Sequence, residues 1–246
     1  MRNLKLILQY DGTMYHGFQI QPTVATIAGE LNRVLTNLTK SPVTVQGCSR
    51  TDAGVHAYRY CCNFMTEFPI PAERLPIVIN NMLPDDIRAI SCCEVSKDFN
   101  ARFDTVSKTY RYVINTCPNP TVYTRYYVWQ YKKTLDVDAL KKAAEYIVGE
   151  HDFKSFMTSG ADVSSTVREV YSLEICKNDD IIEIYITADG YLYNMVRIIT
   201  GTLVSVGEGK LAPESLPEII DSKSREKAGP TAPPQGLYLY QIKYDL

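Results

Sequence analysis

Residues 43–68 read VTVQGCSRTDAGVHAYRYCCNFMTEF, two β-rich runs separated by a polar loop. The composition of Val43 to Gln46 and of Tyr58 to Phe68 predicts two strands. The loop between them, Cys48 to His56, carries charged side chains beside Gly54. Because a rigid sheet often presents binding or catalytic residues on such a loop, this stretch predicts both a sheet and a candidate site.

Predicted helices and strands flank this stretch in the first half of the chain. Apolar residues recur at helical spacing from Thr26 to Lys40, where Thr26 can cap the helix and Ser41-Pro42 ends it. The other predicted elements are a strand from Leu4 to Tyr10, a short helix from Pro71 to Leu83 and a strand from Ile87 to Val95.

The second half repeats this mixture. Its predicted strands are Thr109–Thr116, Tyr126–Tyr131, a hairpin formed by Val167–Cys176 and Ile181–Ala188, and Leu237–Tyr244. Its predicted helices are Val137–Val148, ended by Gly149, an apolar and therefore buried helix at Tyr191–Val206, and Pro213–Asp221. No strict strand–helix alternation is present, which favours an α+β fold with mostly antiparallel sheets flanked by helices. We place a boundary within Phe99–Ser107, which gives halves at 1–104 and 105–246.

Composition narrows the class of protein. The chain has 246 residues, 45% of them hydrophobic, a net charge of −2 and a pI of about 6.0. The absence of a run of eighteen apolar residues argues against a membrane helix, and the N-terminus is a poor signal peptide, so we expect a cytoplasmic protein. The charge argues mildly against a polyanionic partner, although a basic cleft can occur on an acidic surface.

Cysteine and histidine usage predicts neither disulfides nor a metal site. The seven cysteines include two adjacent pairs but no Cys-x-x-Cys spacing, and the three histidines are widely separated. Adjacent strand residues point to opposite faces, so we expect reduced cysteines that pack as small hydrophobic residues. The sequence also lacks a phosphate-cradling glycine motif.

Two interpretations of the loop Arg50 to His56 remain open from the residues alone. Asp52 beside Gly54 can form a simple Asx turn with a surface ion pair to Arg50. Alternatively, Asp52 can be a catalytic carboxylate that the two strands hold in place. Spacing alone favours the structural turn, because an Asp close to a Gly in a loop commonly forms one.

Motifs along almost the whole chain resemble the TruA family of tRNA pseudouridine synthases. In chain order they are Tyr10-Asp11-Gly12, Tyr15-His16-Gly17-Phe18-Gln19, Gln21-Pro22, Arg50-Thr51-Asp52-Ala53-Gly54-Val55-His56-Ala57, Phe99-Asn100-Ala101-Arg102-Phe103, Tyr110-Arg111-Tyr112, Asn194-Met195-Val196-Arg197, Gly201 and Gly236-Leu237-Tyr238-Leu239. The chain departs from the family pattern at Cys48-Ser49, at Phe18 in place of Trp, and at Tyr193-Asn194 in place of a common His.

The resemblance implies a role for each site residue. Asp52 is the catalytic carboxylate, and Arg197 pairs with it and keeps it ionised. Tyr110 stacks on the uracil, Arg50 reaches the RNA backbone or helps to extrude the base, and Leu237 lines the pocket. An arginine inside the apolar run Met195 to Ile199 is costly unless it is paired, which supports the role of Arg197. His56 is expected to be structural.

The resemblance also implies substrate and assembly. We expect an isomerase that converts uridine to pseudouridine in the anticodon stem-loop of tRNA, at positions thirty-eight to forty, without metal or cofactor. The expected fold has two related halves with a basic active-site cleft between them, and the expected assembly is a homodimer.

Two alternative functions fit part of the sequence. A catalytically silent RNA-binding module fits Tyr123 to Lys133, which interleaves aromatic residues with three cations, although a half-exposed strand with a basic rim looks the same. The intact set of Asp52, Tyr110 and Arg197 argues against a silent module. A glycoside hydrolase needs a second carboxylate across the scissile bond, and no motif links Glu30, Glu67 or Glu73 to Asp52.

Overall fold

The computed structural model describes residues 1–158 and 163–245, which form two compact units. Unit 1 contains Met1–Val106 and the chain from Tyr238 onward, and unit 2 contains Ser107–Leu237. The sequence-based division at 104 lies close to this crossover. The prediction that the second half continues to residue 246 differs from the structure, because the last strand pairs with a strand of unit 1 at Tyr238 and Leu239.

The regular elements are as follows. The strands are β1 (Arg2–Tyr10), β2 (Gln46–Gly47), β3 (His56–Thr66), β4 (Ile87–Val95), β5 (Thr105–Asn115), β6 (Trp129–Gln130), β7 (Gly149–Asp152), β8 (Val167–Asn178), β9 (Ile181–Ala188) and β10 (Leu237–Tyr244). The helices are α1 (Ile27–Thr39), α2 (Leu75–Asn80), α3 (Val137–Glu145), α4 (Met195–Gly207) and α5 (Leu216–Asp221).

Unit 1 has a mostly antiparallel sheet in the order β4-β1-β3-β10. β1 pairs antiparallel with both β3 and β4, and β10 pairs parallel with β3. Leu4, Leu6 and Leu8 of β1 are fully buried, as the alternation predicts. The predicted N-cap of α1 is confirmed, because the Thr26 side chain accepts a hydrogen bond from the Gly29 amide at 3.2 Å.

Unit 2 also combines an antiparallel sheet with helices. Its strands run in the order β5-β9-β8-β7, and β6 pairs parallel with β5. The hairpin of β8 and β9 is confirmed, with Asp179 at φ 51° in its turn. All residues of α4 are buried except Arg197, so the prediction of a buried helix is also confirmed. The two units together confirm the α+β class.

Two short predicted strands are wrong, and one short strand was not predicted. The run Val43 to Gln46 forms a strand only at β2, because its amides are taken by α1 side chains: Val43 donates to Thr36 Oγ1 at 3.1 Å and Val45 to Asn32 Oδ1 at 2.9 Å. Most of Tyr126–Tyr131 is a turn, and only β6 pairs. β7 was not predicted: Gly149, at φ 112°, begins this strand, whereas α3 already ends at Glu145 and not at the predicted Val148. No helix in the described parts of the chain is both long and apolar enough to cross a bilayer.

Candidate active site

Asp52 lies at the start of a tight turn immediately before β3. The Val55 amide donates to the Asp52 carbonyl oxygen at 3.2 Å, and Gly54 has the positive φ of 77° that favours glycine in such a turn. Asp52 is half-buried, whereas Arg50 two residues earlier is exposed. The turn therefore presents a partly desolvated carboxylate next to an accessible cation.

The segment between β1 and α1 wraps around this turn through main-chain contacts. The Phe18 amide donates to the Thr51 carbonyl oxygen at 3.3 Å, and the Gly54 amide donates to the Tyr15 carbonyl oxygen at 3.2 Å. A Cβ atom on Gly17, which has a φ of 85°, would lie 2.2 Å from the Thr51 oxygen. Only glycine fits this approach, so the two motifs depend on each other.

Two tyrosine hydroxyls form hydrogen bonds with the residues on either side of Arg50. The Tyr10 hydroxyl bonds the buried Thr51 hydroxyl at 2.9 Å. The Tyr60 hydroxyl donates to the Ser49 carbonyl oxygen, and its ring stacks on Phe18 with centroids 4.2 Å apart. Burial raises the pKa of Tyr60 well above its usual value, so its hydroxyl keeps the donated proton at physiological pH. These bonds explain how an otherwise irregular loop is held in one conformation.

Arg197 occupies the first turn of α4 in unit 2, where two oxygen atoms of the same unit accept hydrogen bonds from its guanidinium. Its Nε donates to the Ala232 carbonyl oxygen and one terminal nitrogen donates to Asn194 Oδ1, both at 2.8 Å. Asn194 has a φ of 62°, and its side chain also donates to Thr158 Oγ1 at 2.9 Å. The departure from the family pattern at Asn194 therefore supplies a residue that suits the left-handed conformation and orients the arginine.

Tyr110 is buried on β5, with its ring edge-on to Tyr191 at 5.0 Å. The Tyr191 hydroxyl donates to the Ile186 carbonyl oxygen at 2.8 Å, which fixes the ring that supports Tyr110. Sequence reasoning missed Tyr191. Its position just before the Asn194 motif was the only available signal.

Tyr112 connects the remaining predicted residues of unit 2. It lies two residues after Tyr110, so the two side chains share a face of β5. Its hydroxyl donates to the Pro233 carbonyl oxygen at 2.7 Å, and the charge of Arg197 opposes the rise that burial causes in its pKa. Leu237 is buried and follows that same segment after Gly236, whose position directly faces the Tyr112 ring. Tyr112 thus shares a strand face with Tyr110, interacts with the charge of Arg197 and packs against the residue before Leu237.

The aromatic and basic segment from Tyr123 to Lys133 is only partly available for RNA. Tyr123 is 82% exposed, and Arg125 stacks over Tyr126 at 4.3 Å from the ring centroid. Lys133 instead pairs with Glu208 at 2.6 Å. The segment offers exposed rings, but one of its three cations has a carboxylate partner.

The comparisons with known proteins decide the family. The model of a family described as tRNA pseudouridine synthase matches residues 6–104 and 143–245. The chain belongs to this tRNA pseudouridine synthase family. Its enzymes are isomerases, and the predicted resemblance is confirmed.

Full-length relatives agree with this assignment. The chain is 45% identical over 244 residues to tRNA pseudouridine synthase A of Clostridium acetobutylicum, and the match covers 99% of this chain and 100% of that protein. It is 46% identical over 244 residues to tRNA pseudouridine synthase A of Thermoanaerobacter sp. strain X514, with the same coverage. Among solved structures, one chain in the crystal structure of the archaeal box H/ACA sRNP Nop10-Cbf5 complex has 11% sequence identity to this chain and a TM-score of 0.38. The match covers 82% of this chain and 44% of that chain.

Proposed function

We propose that this tRNA pseudouridine synthase acts on uridines of the anticodon stem-loop, at positions thirty-eight to forty, with Asp52 as its catalytic carboxylate. The observation that carries the assignment of Asp52 is its half-buried turn, which main-chain contacts from residues 12–18 and two tyrosine hydroxyls hold in place. A solvated Asx turn would not need that support.

The chemistry requires one fixed carboxylate. Pseudouridine forms when the bond between the ribose C1′ and the uracil N1 breaks, the uracil rotates, and a bond forms between C1′ and C5. C5 loses its proton and the freed N1 gains one, so the overall composition is unchanged. Positive charge develops at the sugar as the first bond breaks, and a nearby carboxylate stabilises it. The product is an isomer of the substrate, so the reaction consumes no cofactor.

The other predicted residues complete this chemistry. Arg197 supplies the positive charge that balances the Asp52 carboxylate, and its own orientation is set by Asn194 and Ala232. Tyr110 stacks on the uracil, and Leu237 lines the pocket. The exposed Arg50 contacts the RNA backbone and favours extrusion of the base, which costs a few kcal/mol in unstacking.

Tritium release from tRNA labelled at uracil C5 tests the assignment of Asp52. Wild type, Asp52→Asn and Asp52→Ala are compared, because asparagine keeps the shape of the side chain without its charge. We expect release by wild type alone, with all three proteins binding tRNA. Release by Asp52→Asn at the wild-type rate would show that the carboxylate is not the catalyst.

Site and assembly need separate measurements. Mapping of pseudouridine in tRNA from treated transcripts should find it at positions thirty-eight to forty, and modification restricted to another loop would refute the proposed site. We further propose that the enzyme is a homodimer that acts in the cytoplasm. Sedimentation equilibrium should give twice the chain mass of 27.8 kDa, whereas a monomer that retains full activity would refute the dimer.

A further inference from the structure

A ring of hydrogen bonds passes through the turn that carries Asp52. The Gly54 amide donates to the Tyr15 carbonyl oxygen at 3.2 Å, and the Tyr15 amide donates to the Gly12 carbonyl oxygen at 3.0 Å. The Gly12 amide donates to Nδ1 of His56 at 3.1 Å. His56 is joined to Gly54 through Val55, so the ring closes on the catalytic turn itself.

His56 is the one link of this ring that uses a side chain. The other two hydrogen bonds are between main-chain groups, which no single substitution of a side chain removes directly. The His56 imidazole is 2% exposed, and the Tyr238 ring stacks on it with centroids 4.8 Å apart. Burial and stacking hold the imidazole in an orientation in which Nδ1 faces the Gly12 amide.

The same nitrogen also faces a carboxylate. Asp11 Oδ1 lies 3.1 Å from Nδ1 of His56 and accepts hydrogen bonds from the Thr13 amide and hydroxyl, at 2.9 and 2.5 Å. Nδ1 accepts from Gly12 only when it carries no proton. A protonated Nδ1 donates to Asp11 instead and leaves the Gly12 amide without this acceptor.

We propose that His56 is a positioning residue for Asp52, and that it acts with Nδ1 unprotonated as the acceptor that closes the ring around the catalytic turn. The inference rests on the proposed role of Asp52. Protonation of His56 opens the ring and lets the turn shift, so the rate of the chemical step falls as the histidine becomes charged. The titratable groups described around the imidazole are Asp11 on the loop after β1, Tyr238 on β10 and Tyr58 stacked on Tyr238.

Two substitutions separate the role of Nδ1 from simple packing. In His56→Asn the side-chain oxygen takes the place of Nδ1, whereas in His56→Gln the polar group lies near the position of Nε2. We expect the single-turnover rate of His56→Gln to fall about tenfold, the effect of one lost hydrogen bond on a precisely placed group, and tRNA affinity to change less than about twofold. His56→Asn should stay within about threefold of wild type. His151→Gln, which alters a histidine of unit 2, is the matched control and should equal wild type.

The pH dependence provides an independent test. The wild-type single-turnover rate should fall between about pH 7 and 5, where histidines ordinarily gain a proton, and the His56→Asn rate should fall less over this range. Equal rates for His56→Gln and wild type, or equal acid loss in wild type and His56→Asn, would overturn the inference. If His56→Gln does not fold, the pH profile of His56→Asn decides the question. Activity of Asp52→Asn would refute the role of Asp52 separately, because it leaves the His56 comparisons unchanged.

Discussion

Replacement of Gly201 by alanine should displace Arg197 through the segment Pro230 to Ala232, although Gly201 is not itself a proposed site residue. A Cβ atom at this position would lie 1.7 Å from the carbonyl oxygen of Pro230, a main-chain atom that cannot rotate away. The neighbouring Ala232 both donates to the Arg197 carbonyl oxygen at 3.0 Å and accepts from the Arg197 side chain. Displacement of this segment therefore moves the arginine that we assign to the active site.

Two opposing effects set the size of the change. Alanine is favoured over glycine in a helix interior by about 1 kcal/mol. The contact must lengthen by about 1.3 Å to reach 3.0 Å, and overpacking of a tight interior costs about 1–3 kcal/mol, with the upper end applying when both partners are backbone. We expect a net loss of about 2 kcal/mol in the free energy of unfolding, and a Tm lowered by about 4–8 °C for a chain of this size.

Thermal unfolding followed by circular dichroism, with tritium release on the same samples, tests this reasoning. Gly190→Ala is the matched control, because its Cβ would meet nothing nearer than 3.5 Å in the same unit. We expect the control to keep wild-type stability and Gly201→Ala to lose both stability and rate. A Gly201→Ala protein as stable as the control would show that the contact with Pro230 relaxes without cost.

Three further changes have defined outcomes. Tyr60→Phe removes the hydroxyl that donates to Ser49, and chemical denaturation should show a loss of about 1–2 kcal/mol together with slower tritium release. The pKa of Glu208 is lowered to about 2 by hydrogen bonds from Lys133, Lys210 and Tyr131, so its stabilisation is present above about pH 4.5 and lost as the pH falls toward 2; the unfolding free energy of Glu208→Gln should vary less over that interval. Thr26→Ala removes the cap of α1 and should cost about 1 kcal/mol without changing the single-turnover rate, whereas unchanged stability would mean that water replaces the cap.

Segments with a regular hydrophobic period allowed most of the strands and helices to be predicted from sequence alone. β4, β9 and β10 have the predicted bounds, because alternation and turn residues mark them locally. The pairing of β10 with β3 had no such signal, since parallel partners distant in sequence leave no mark on either strand. Val43 and Val45 show the converse: their pattern is strand-like, but side chains of α1 take their amides.

The candidate site was less accessible to sequence reasoning. Spacing alone favoured a structural turn at Asp52, and only the resemblance favoured catalysis. The role of Asn194 could not be inferred, because a left-handed conformation and two side-chain bonds depend on what surrounds the start of α4. His56 was expected to be structural, because its side chain has no necessary role in the chemistry. Its hydrogen bond with Gly12, 44 positions away in the chain, leaves no mark in the sequence.

The segment between β1 and α1 and the loop Arg50 to His56 form one structural element. Gly12 lies directly against the Val55 carbonyl oxygen, Gly17 lies against that of Thr51, and Phe18 stacks on the tyrosine that holds Ser49. Gly12 and Gly17 lack a side chain where carbonyl oxygens of the loop approach, and Gly17 also has a positive φ. The Phe18 ring lies flat against the Tyr60 ring. The conformation of the loop is therefore specified largely outside its own sequence. Substitutions between β1 and α1 should alter the chemical step, even though none of those residues carries the carboxylate that we propose as the catalyst.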